Sequence, residues 1–270
     1  IFELAARIVL QGGEEVLLPE PTFAYYRIAA QAQGARCIAV PLRDFKLDLA
    51  GMADRVTSKT KLIFLCNPNN PTGTIFTRSE LDGFLAQLPA QVVVVVDEAY
   101  GEYVTAPDYP RFQEYLQGGR WIITTKTFSK FYGLAGLRIG YGIARTDLIA
   151  HMERARQPFS VNLLAQIAAE AALEDEEHRV KTAQTNEIGK RYLYGELTRL
   201  ELSFVPSEAN FILVHCGTQT PQIIEGLMQE GIVVRSMAGY GLKEYIRVTI
   251  GLPEENKGVI RVLEQWKKGS

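Results

Sequence analysis

Short apolar runs alternate with amphipathic stretches through the first half of the chain. The predicted strands cover residues 15–18, 36–41, 61–66, 92–96, 121–125 and 138–143. The predicted helices cover the first residues up to Gly12-Gly13, then 23–33, and then 79–88 behind a capping Thr77 or Ser79. The runs at 92–96 and 121–125 do not alternate with polar residues, as expected for parallel strands that are covered on both faces. This alternation of strands and helices favours an open α/β sheet.

The pattern changes after about residue 158. Residues 161–200 predict a long helical stretch that is rich in Ala, Glu and Arg. Strand-like segments follow at 210–214, 232–235 and 245–250, and a last helix is predicted over 254–267. We therefore expect a large α/β domain over residues 1–157 and a smaller α+β domain over residues 158–270.

The first residues already belong to an amphipathic pattern. Ile1, Leu4, Ala5, Ile8 and Val9 have helical spacing, and no capping residue precedes them. We expect that N-terminal sequence is missing and that the large domain is incomplete at its start.

Composition limits the classes of function. The net charge of −2 gives no general attraction to nucleic acid or to an anionic membrane. The three cysteines have no CxxC spacing and the three histidines lie far apart, which favours a reducing compartment and predicts no metal site. No apolar run approaches the roughly 20 residues that a membrane span needs. We expect a cytoplasmic protein.

Polar residues follow three predicted strands, where ligands bind in an open parallel sheet. The strand at 61–66 runs into Asn67-Pro-Asn-Asn-Pro-Thr-Gly73, the strand at 92–96 into Asp97-Glu-Ala-Tyr100, and the strand at 121–125 into Lys126-Thr-Phe-Ser-Lys130. Each segment alone has an ordinary explanation as a turn, a helix cap or a solvated lysine. Together they offer a lysine, a carboxylate and several hydrogen-bond donors, which are the groups that pyridoxal 5'-phosphate (PLP) requires.

The segment from Thr127 to Gly140, TFSKFYGLAGLRIG, resembles the cofactor-lysine motif of fold-type I aminotransferases. The segments 67–73 and 97–100 resemble two further motifs of these enzymes, in the same order. The resemblance implies that Lys130 forms the Schiff base with PLP and shuttles the proton, with Lys126 as a minor alternative. It also implies that Asp97 pairs with the pyridine nitrogen, and that Asn70 and Tyr100 hydrogen-bond the ring oxygen.

The same resemblance implies a binding site for the cofactor phosphate. Thr127, Ser129 and Arg138 would hold this phosphate, with arginine as the charge-matched donor. Phe23 lies at the position whose aromatic ring stacks on the cofactor in the family. A core phenylalanine is nearly as good an explanation of Phe23.

Two arginines near the C-terminus, Arg235 and Arg247, lie in apolar predicted strands. A charge in such a setting needs an anion to offset its desolvation, although a structural ion pair would also provide one. The segments 231–241 and 245–251 around them are similar to histidinol-phosphate aminotransferases, in which both arginines help to bind the substrate phosphate. A bidentate guanidinium suits a phosphate better than an ammonium group does.

The resemblance extends over essentially the whole chain and implies a transamination of histidine biosynthesis, between histidinol phosphate and 2-oxoglutarate. Three alternatives remain open: an aromatic aminotransferase, a phosphothreonine-type decarboxylase of the same fold, and a non-catalytic binding domain. Family members also carry an N-terminal loop, containing Gly-Ser, that binds the cofactor phosphate, and they form homodimers that exchange an aromatic residue. Ile1 would fall just after that loop.

Overall fold

A large sheet occupies the first half of the chain in the computed structural model, which describes residues 1–269. Its strands are β1 (Glu15–Glu20), β2 (Arg36–Pro41), β3 (Thr60–Cys66), β4 (Val93–Asp97), β5 (Ile122–Thr127) and β6 (Gly140–Ala144). They lie in the order β2-β1-β3-β4-β5-β6, with every pair parallel except β5 and β6. The predicted mostly parallel α/β sheet is confirmed.

Helices cover both faces of this sheet. They are α1 (Phe2–Val9), α2 (Tyr25–Gln31), α3 (Leu49–Ala53), α4 (Arg78–Gln87), α5 (Phe112–Tyr115) and α6 (Thr146–Ala155). Successive strand residues face opposite sides, so Phe64 packs with α1, α2 and α6 while Leu65 packs with α3, α4 and α5. Thr77 caps α4 in a capping box with Glu80, as one of the two predicted caps.

A second, antiparallel sheet follows. Its strands β7 (Phe204–Val205), β8 (Phe211–His215), β9 (Arg235–Ser236) and β10 (Tyr245–Thr249) lie in the order β7-β8-β10-β9. The helices of this part are α7 (Leu163–Glu174), α8 (Glu176–Arg199), α9 (Thr220–Gln229) and α10 (Pro253–Gly269). Apolar residues of α8, α9 and α10 form its core with β8 and β10. The smaller α+β part is thus present, and its boundary at residue 158 stays a prediction.

Several predicted elements were wrong in detail. The helical stretch at 161–200 is two helices, because the Asp175 side chain accepts a hydrogen bond from His178 N–H and begins α8. The strand at 232–235 starts only at Arg235, so the apolar Ile232 and Val233 lie outside it. Five elements were not predicted, because they are short or have no continuous apolar run: α3, α5, α6, α9 and β7. No helix within residues 1–269 is long and apolar enough to cross a membrane.

The loop after β3 connects the two sheets. Gly73 C=O accepts a hydrogen bond of 2.8 Å from Glu208 N–H, just before β8. Gly73 has a φ of +74°, and a Cβ at this position would lie 2.1 Å from Ser207 Oγ. Only glycine satisfies both the backbone conformation and the close approach.

We expect Gly73→Ala to destabilise the protein more than Gly231→Ala. Gly231 has the same φ of +74°, but a Cβ there meets no atom within 4 Å. Both substitutions strain the backbone by about 1 kcal/mol, and only Gly73→Ala adds a steric overlap of about 1–3 kcal/mol. Urea unfolding of both variants measures the difference. Equal losses of unfolding free energy would contradict the close contact between Gly73 and Ser207.

Candidate active site

A cavity of about 1000 Å³ lies beyond the carboxyl ends of β3, β4 and β5 and reaches the small sheet. In-register parallel pairing sets Cys66 beside Asp97, and Asp97 beside Thr125, so the following loops meet at one edge. All ten predicted site residues line this cavity: Phe23, Asn70, Asp97, Tyr100, Thr127, Ser129, Lys130, Arg138, Arg235 and Arg247. The structure therefore brings together residues from both sheets.

Asp97 ends β4 and is 6% exposed. Its Oδ2 accepts a hydrogen bond of 2.6 Å from the Tyr26 hydroxyl, while Oδ1 accepts from Ala99 N–H at 3.0 Å and Thr125 Oγ1 at 3.4 Å. Burial raises the pKa of Asp97, and these hydrogen bonds, together with the charge of Lys130, oppose that rise. The carboxylate is thus held by three donors at the wall of the cavity.

Lys130 lies in the loop after β5 with its side chain in the cavity. Its Nζ is 5.5 Å from the centre of the Tyr100 ring. Partial burial lowers the pKa of Lys130, the positive charge of Arg247 lowers it further, and Asp97 acts in the opposite direction. A lowered pKa increases the fraction of neutral amine, which is the nucleophilic form of lysine.

Lys126 has a different environment. Its Nζ lies 3.1 Å from Glu102 Oε1 and 3.6 Å from Glu98 Oε1, both largely buried. Burial opposes the charge of Lys126, but the two carboxylates outweigh it and raise the pKa of this lysine. The ion pairs hold Lys126 in its protonated form, which favours Lys130 as the nucleophile.

The segment 127–138 presents two hydroxyls and a guanidinium to the cavity. Ser129 N–H donates to Thr127 Oγ1 at 3.1 Å, which fixes the turn that carries both hydroxyls. Arg138 is exposed, has a left-handed φ of 55°, and donates from Nη1 to Ala135 C=O at 2.8 Å. This donor set suits a phosphate group, because it combines hydroxyls with one always-charged donor.

Arg247 joins the two sheets at the cavity. Its Nη1 donates to Asn70 Oδ1 at 2.5 Å, and its guanidinium lies 4.7 Å from the centre of the Phe211 ring. Its Nε is buried and has no hydrogen-bond partner among the described residues. Buried donors without an acceptor are unfavourable, so Arg247 retains capacity for an anion.

Arg235 lies beside Arg247 in the register of β9 and β10, but it is exposed. The argument that desolvation demands an anion was therefore wrong for Arg235, since β9 is a two-residue edge strand open to solvent. It holds in part for the half-buried Arg247. Arg235 still lines the cavity, so its charge can attract an anion there.

Phe23 lies at the cavity and also packs in the aromatic core, so both of the positions considered for it apply. It lines the cavity, and its ring also packs against Phe2, Tyr25 and Tyr26 with centroid separations of 5.5 to 6.5 Å. Two aromatic residues of this region were not predicted: Tyr26, which packs against Phe23, and Tyr240, which also lines the cavity. The spacing of three residues between Phe23 and Tyr26 was the one available signal.

These residues fit PLP, the cofactor that the sequence resemblance implies. Arg247, the buried Asp97 and Lys130, whose pKa is lowered, all line one cavity, and Arg247 Nε has no hydrogen-bond partner among the described residues. A second cluster of hydroxyl and guanidinium donors lies on the same wall, at Thr127, Ser129 and Arg138. A ligand with a cationic ring nitrogen, an aldehyde and a phosphate matches this distribution of charges.

Comparison with known proteins gives the class to which this fold and site belong. Residues 1–263 match the family described as aminotransferase class I and II. The chain belongs to this family.

The similar proteins are more specific. The chain is 48% identical over 266 residues to the histidinol-phosphate aminotransferase of Moorella thermoacetica, covering 98% of this chain and 69% of that protein. The structure of histidinol-phosphate aminotransferase from Sinorhizobium meliloti in complex with pyridoxal-5'-phosphate superposes with a TM-score of 0.91 at 26% identity, covering 99% of this chain and 74% of the other. The structure of L-threonine-O-3-phosphate decarboxylase from Porphyromonas gingivalis superposes with a TM-score of 0.84 at 26% identity, covering 99% of this chain and 80% of the other.

We expect Glu98→Gln to change the pH dependence of stability. Burial raises the pKa of Glu98 to about 7, despite the nearby charge of Lys126. The folded protein therefore binds more protons than the unfolded chain between the ordinary glutamate pKa and about 7, so the contribution of Glu98 to stability falls as pH rises through this window. Glutamine lacks this titration.

The unfolding free energy of Glu98→Gln, measured relative to that of the unchanged protein, should therefore rise by about 1–3 kcal/mol between pH 5 and pH 8. Urea unfolding at several pH values measures this. Glu254→Gln, at a side chain that is 83% exposed, controls for the loss of one charge. A difference that stays constant with pH would contradict the raised pKa.

Proposed function

We propose that this chain is a PLP-dependent aminotransferase that acts on histidinol phosphate and 2-oxoglutarate. The observation that carries the proposal is the position of Lys130, which shares one cavity with Asp97 and Arg247 and has a lowered pKa. Family membership and the name of the Moorella relative support the reaction and the substrate. The PLP in the Sinorhizobium structure supports the cofactor.

When bound, PLP supplies an aldehyde that reacts with amines and a ring that accepts electrons. Lys130 would hold the cofactor at its aldehyde group, and its Nζ would hold and return the proton of the substrate carbon. Asp97 would keep the ring nitrogen protonated through its negative charge. The Tyr100 hydroxyl and the Asn70 amide, which line the same cavity, would hydrogen-bond the ring oxygen.

The phosphate groups have two separate donor sets. Thr127, Ser129 and Arg138 would hold the cofactor phosphate at the loop after β5. Arg247, fixed by Asn70 and left with a free Nε, and the exposed Arg235 would hold the substrate's anionic group from the small sheet. A guanidinium pair gives two charge-assisted contacts to a phosphate or a carboxylate, so both half-reactions can use it.

A decarboxylase of the same fold remains the second candidate, because the Porphyromonas enzyme also superposes well on this chain. Its name and that of the Moorella relative both specify phosphorylated substrates, so the arginines do not separate the two reactions. Product analysis separates the two reactions. We expect 2-oxoglutarate to be converted to glutamate with histidinol phosphate, and no carbon dioxide to form from threonine phosphate.

We also propose that the chain forms a homodimer and works in the cytoplasm. Phe159, Leu163, Leu164 and Ile167 form an apolar patch with exposures of 99%, 68%, 73% and 57%. Adjoining residues Ser160 and Val161 line the cavity, so a second copy on this patch would lie next to the site. Contiguous apolar surface of this kind favours protein contact. The three free cysteines fit a reducing compartment.

Reduction with borohydride should fix PLP covalently on Lys130. The neutral fraction of this amine reacts with the aldehyde, whereas the ion pairs of Lys126 keep that lysine protonated. Peptide mass spectrometry after reduction identifies the labelled residue. Lys130→Ala should abolish the label, and a label on Lys126 would contradict the assignment.

Arg235→Gln should raise the KM for histidinol phosphate about tenfold and change kcat little, because the lost contact is a charged hydrogen bond to the substrate. The KM for histidinol, which lacks the phosphate, should change much less. Steady-state kinetics with both substrates test this. Lys243→Gln is the matched control, since Lys243 is an exposed cation in the same β9–β10 connection. An equal effect on both substrates would exclude a phosphate contact.

Leu164→Glu should weaken the dimer, because it places a charge in the centre of the apolar patch. Sedimentation equilibrium should give about twice the chain mass of 30.1 kDa for the unchanged protein and a mass near 30.1 kDa for the variant. Val233→Glu, at an 85% exposed apolar residue outside the patch, should leave the mass unchanged. A monomeric unchanged protein would contradict the proposal.

A further inference from the structure

We propose that Tyr26 is a positioning residue for the reaction: its hydroxyl orients the Asp97 carboxylate and keeps it charged for the ring nitrogen of PLP. The proposal rests on the proposed function, in which Asp97 faces that nitrogen. Tyr26 itself is fully buried and does not line the cavity, so it acts on the site through Asp97. Its hydroxyl also contacts the buried thiol of Cys66.

The ring of Tyr26 is fixed on several sides. It stacks on Phe64 with a centroid separation of 4.9 Å and an interplanar angle of 5°. Phe2 and Phe23 meet it edge-on at 5.0 and 5.5 Å. With the ring so enclosed, the hydroxyl keeps one direction and donates to Asp97 Oδ2 at 2.6 Å. The contact spans 71 residues of sequence and joins α2 to the end of β4.

This bond has an electrostatic consequence. A buried carboxylate tends to take up a proton, and burial does raise the pKa of Asp97. The hydrogen bond from Tyr26 is the largest of the effects that lower it, ahead of those from Ala99 and Thr125. A protonated Asp97 could not offset a cationic ring nitrogen, so the hydroxyl of Tyr26 supports the charge that the reaction needs.

A purely structural role predicts something different. If Tyr26 only filled the core, phenylalanine would serve as well, since the contacts with Phe2, Phe23 and Phe64 are made by the ring. Another tyrosine offers a comparison of the same chemistry. Tyr115 donates to Asp82 Oδ1 at 2.6 Å on the surface, and neither residue lines the cavity.

The first test is a titration of Asp97 in the chain without added PLP. Carboxyl ¹³C NMR of aspartate-labelled protein, with the signal assigned by Asp97→Asn, measures its pKa directly. We expect Tyr26→Phe to raise this pKa by about one unit or more and Tyr115→Phe to leave it unchanged. An Asp97 pKa that is the same in Tyr26→Phe overturns the proposal.

The second test measures PLP affinity by its absorbance. Tyr26→Phe should weaken binding about tenfold, as expected for a lost hydrogen bond to a charged group, and Tyr115→Phe should not. In an Asp97→Asn background Tyr26→Phe should have no further effect, whereas a core-packing role predicts the same loss in both backgrounds. Equal losses would overturn the proposal. If the unchanged protein did not bind PLP, the proposed function would fail while the titration still decided whether Tyr26 controls Asp97.

Discussion

The in-register parallel pairing of β3, β4 and β5 is the constraint on which the site depends. Because Cys66 lies beside Asp97 and Asp97 beside Thr125, β3 and β4 end at one level and β5 ends two residues further on, at Thr127. The asparagine-rich loop, the Asp97–Tyr100 turn and the Thr127–Lys130 turn then have to emerge together. A shift of one residue between β4 and β5 would turn Asp97 to the opposite face of the sheet and separate it from Lys130.

The charges around this edge form two sets, those that are open to a ligand and those that pair with one another. Glu3 and Glu153 line the cavity in ion pairs with Arg7 and Arg156. The remaining cations Lys130, Arg138, Arg235 and Arg247 outnumber the carboxylate of Asp97, so the field favours a ligand with a net negative charge. Lys126 also lines the cavity, but its ammonium group is enclosed by the carboxylates of Glu98 and Glu102. Because these three groups pair with one another, Lys126, Glu98 and Glu102 are not available to a ligand in the cavity. This leaves Lys130 as the amine whose pKa is lowered, first by partial burial and then by the charge of Arg247.

The sequence predicted those features that local pattern encodes. Continuous apolar runs located the parallel strands, and the polar residues after them located the cavity, because both depend on short segments. Contacts between distant segments left little signal: Tyr26 meets Asp97 across 71 residues and Arg247 meets Asn70 across 177. The exposure of Arg235 was also hidden, since the apolar residues before it indicated a longer strand than the two-residue β9.

The bond between Arg247 and Asn70 has a consequence for how substrate and cofactor communicate. Asn70 belongs to the loop of the large sheet that would contact the cofactor ring, whereas Arg247 belongs to the small sheet. An anion that binds Arg247 would satisfy its unpartnered Nε and partly neutralise its charge. That charge is one of those that lower the pKa of Lys130, so a bound anion would make Lys130 more basic. An anion at this guanidinium would therefore act on Lys130 in the direction that helps it to accept a proton.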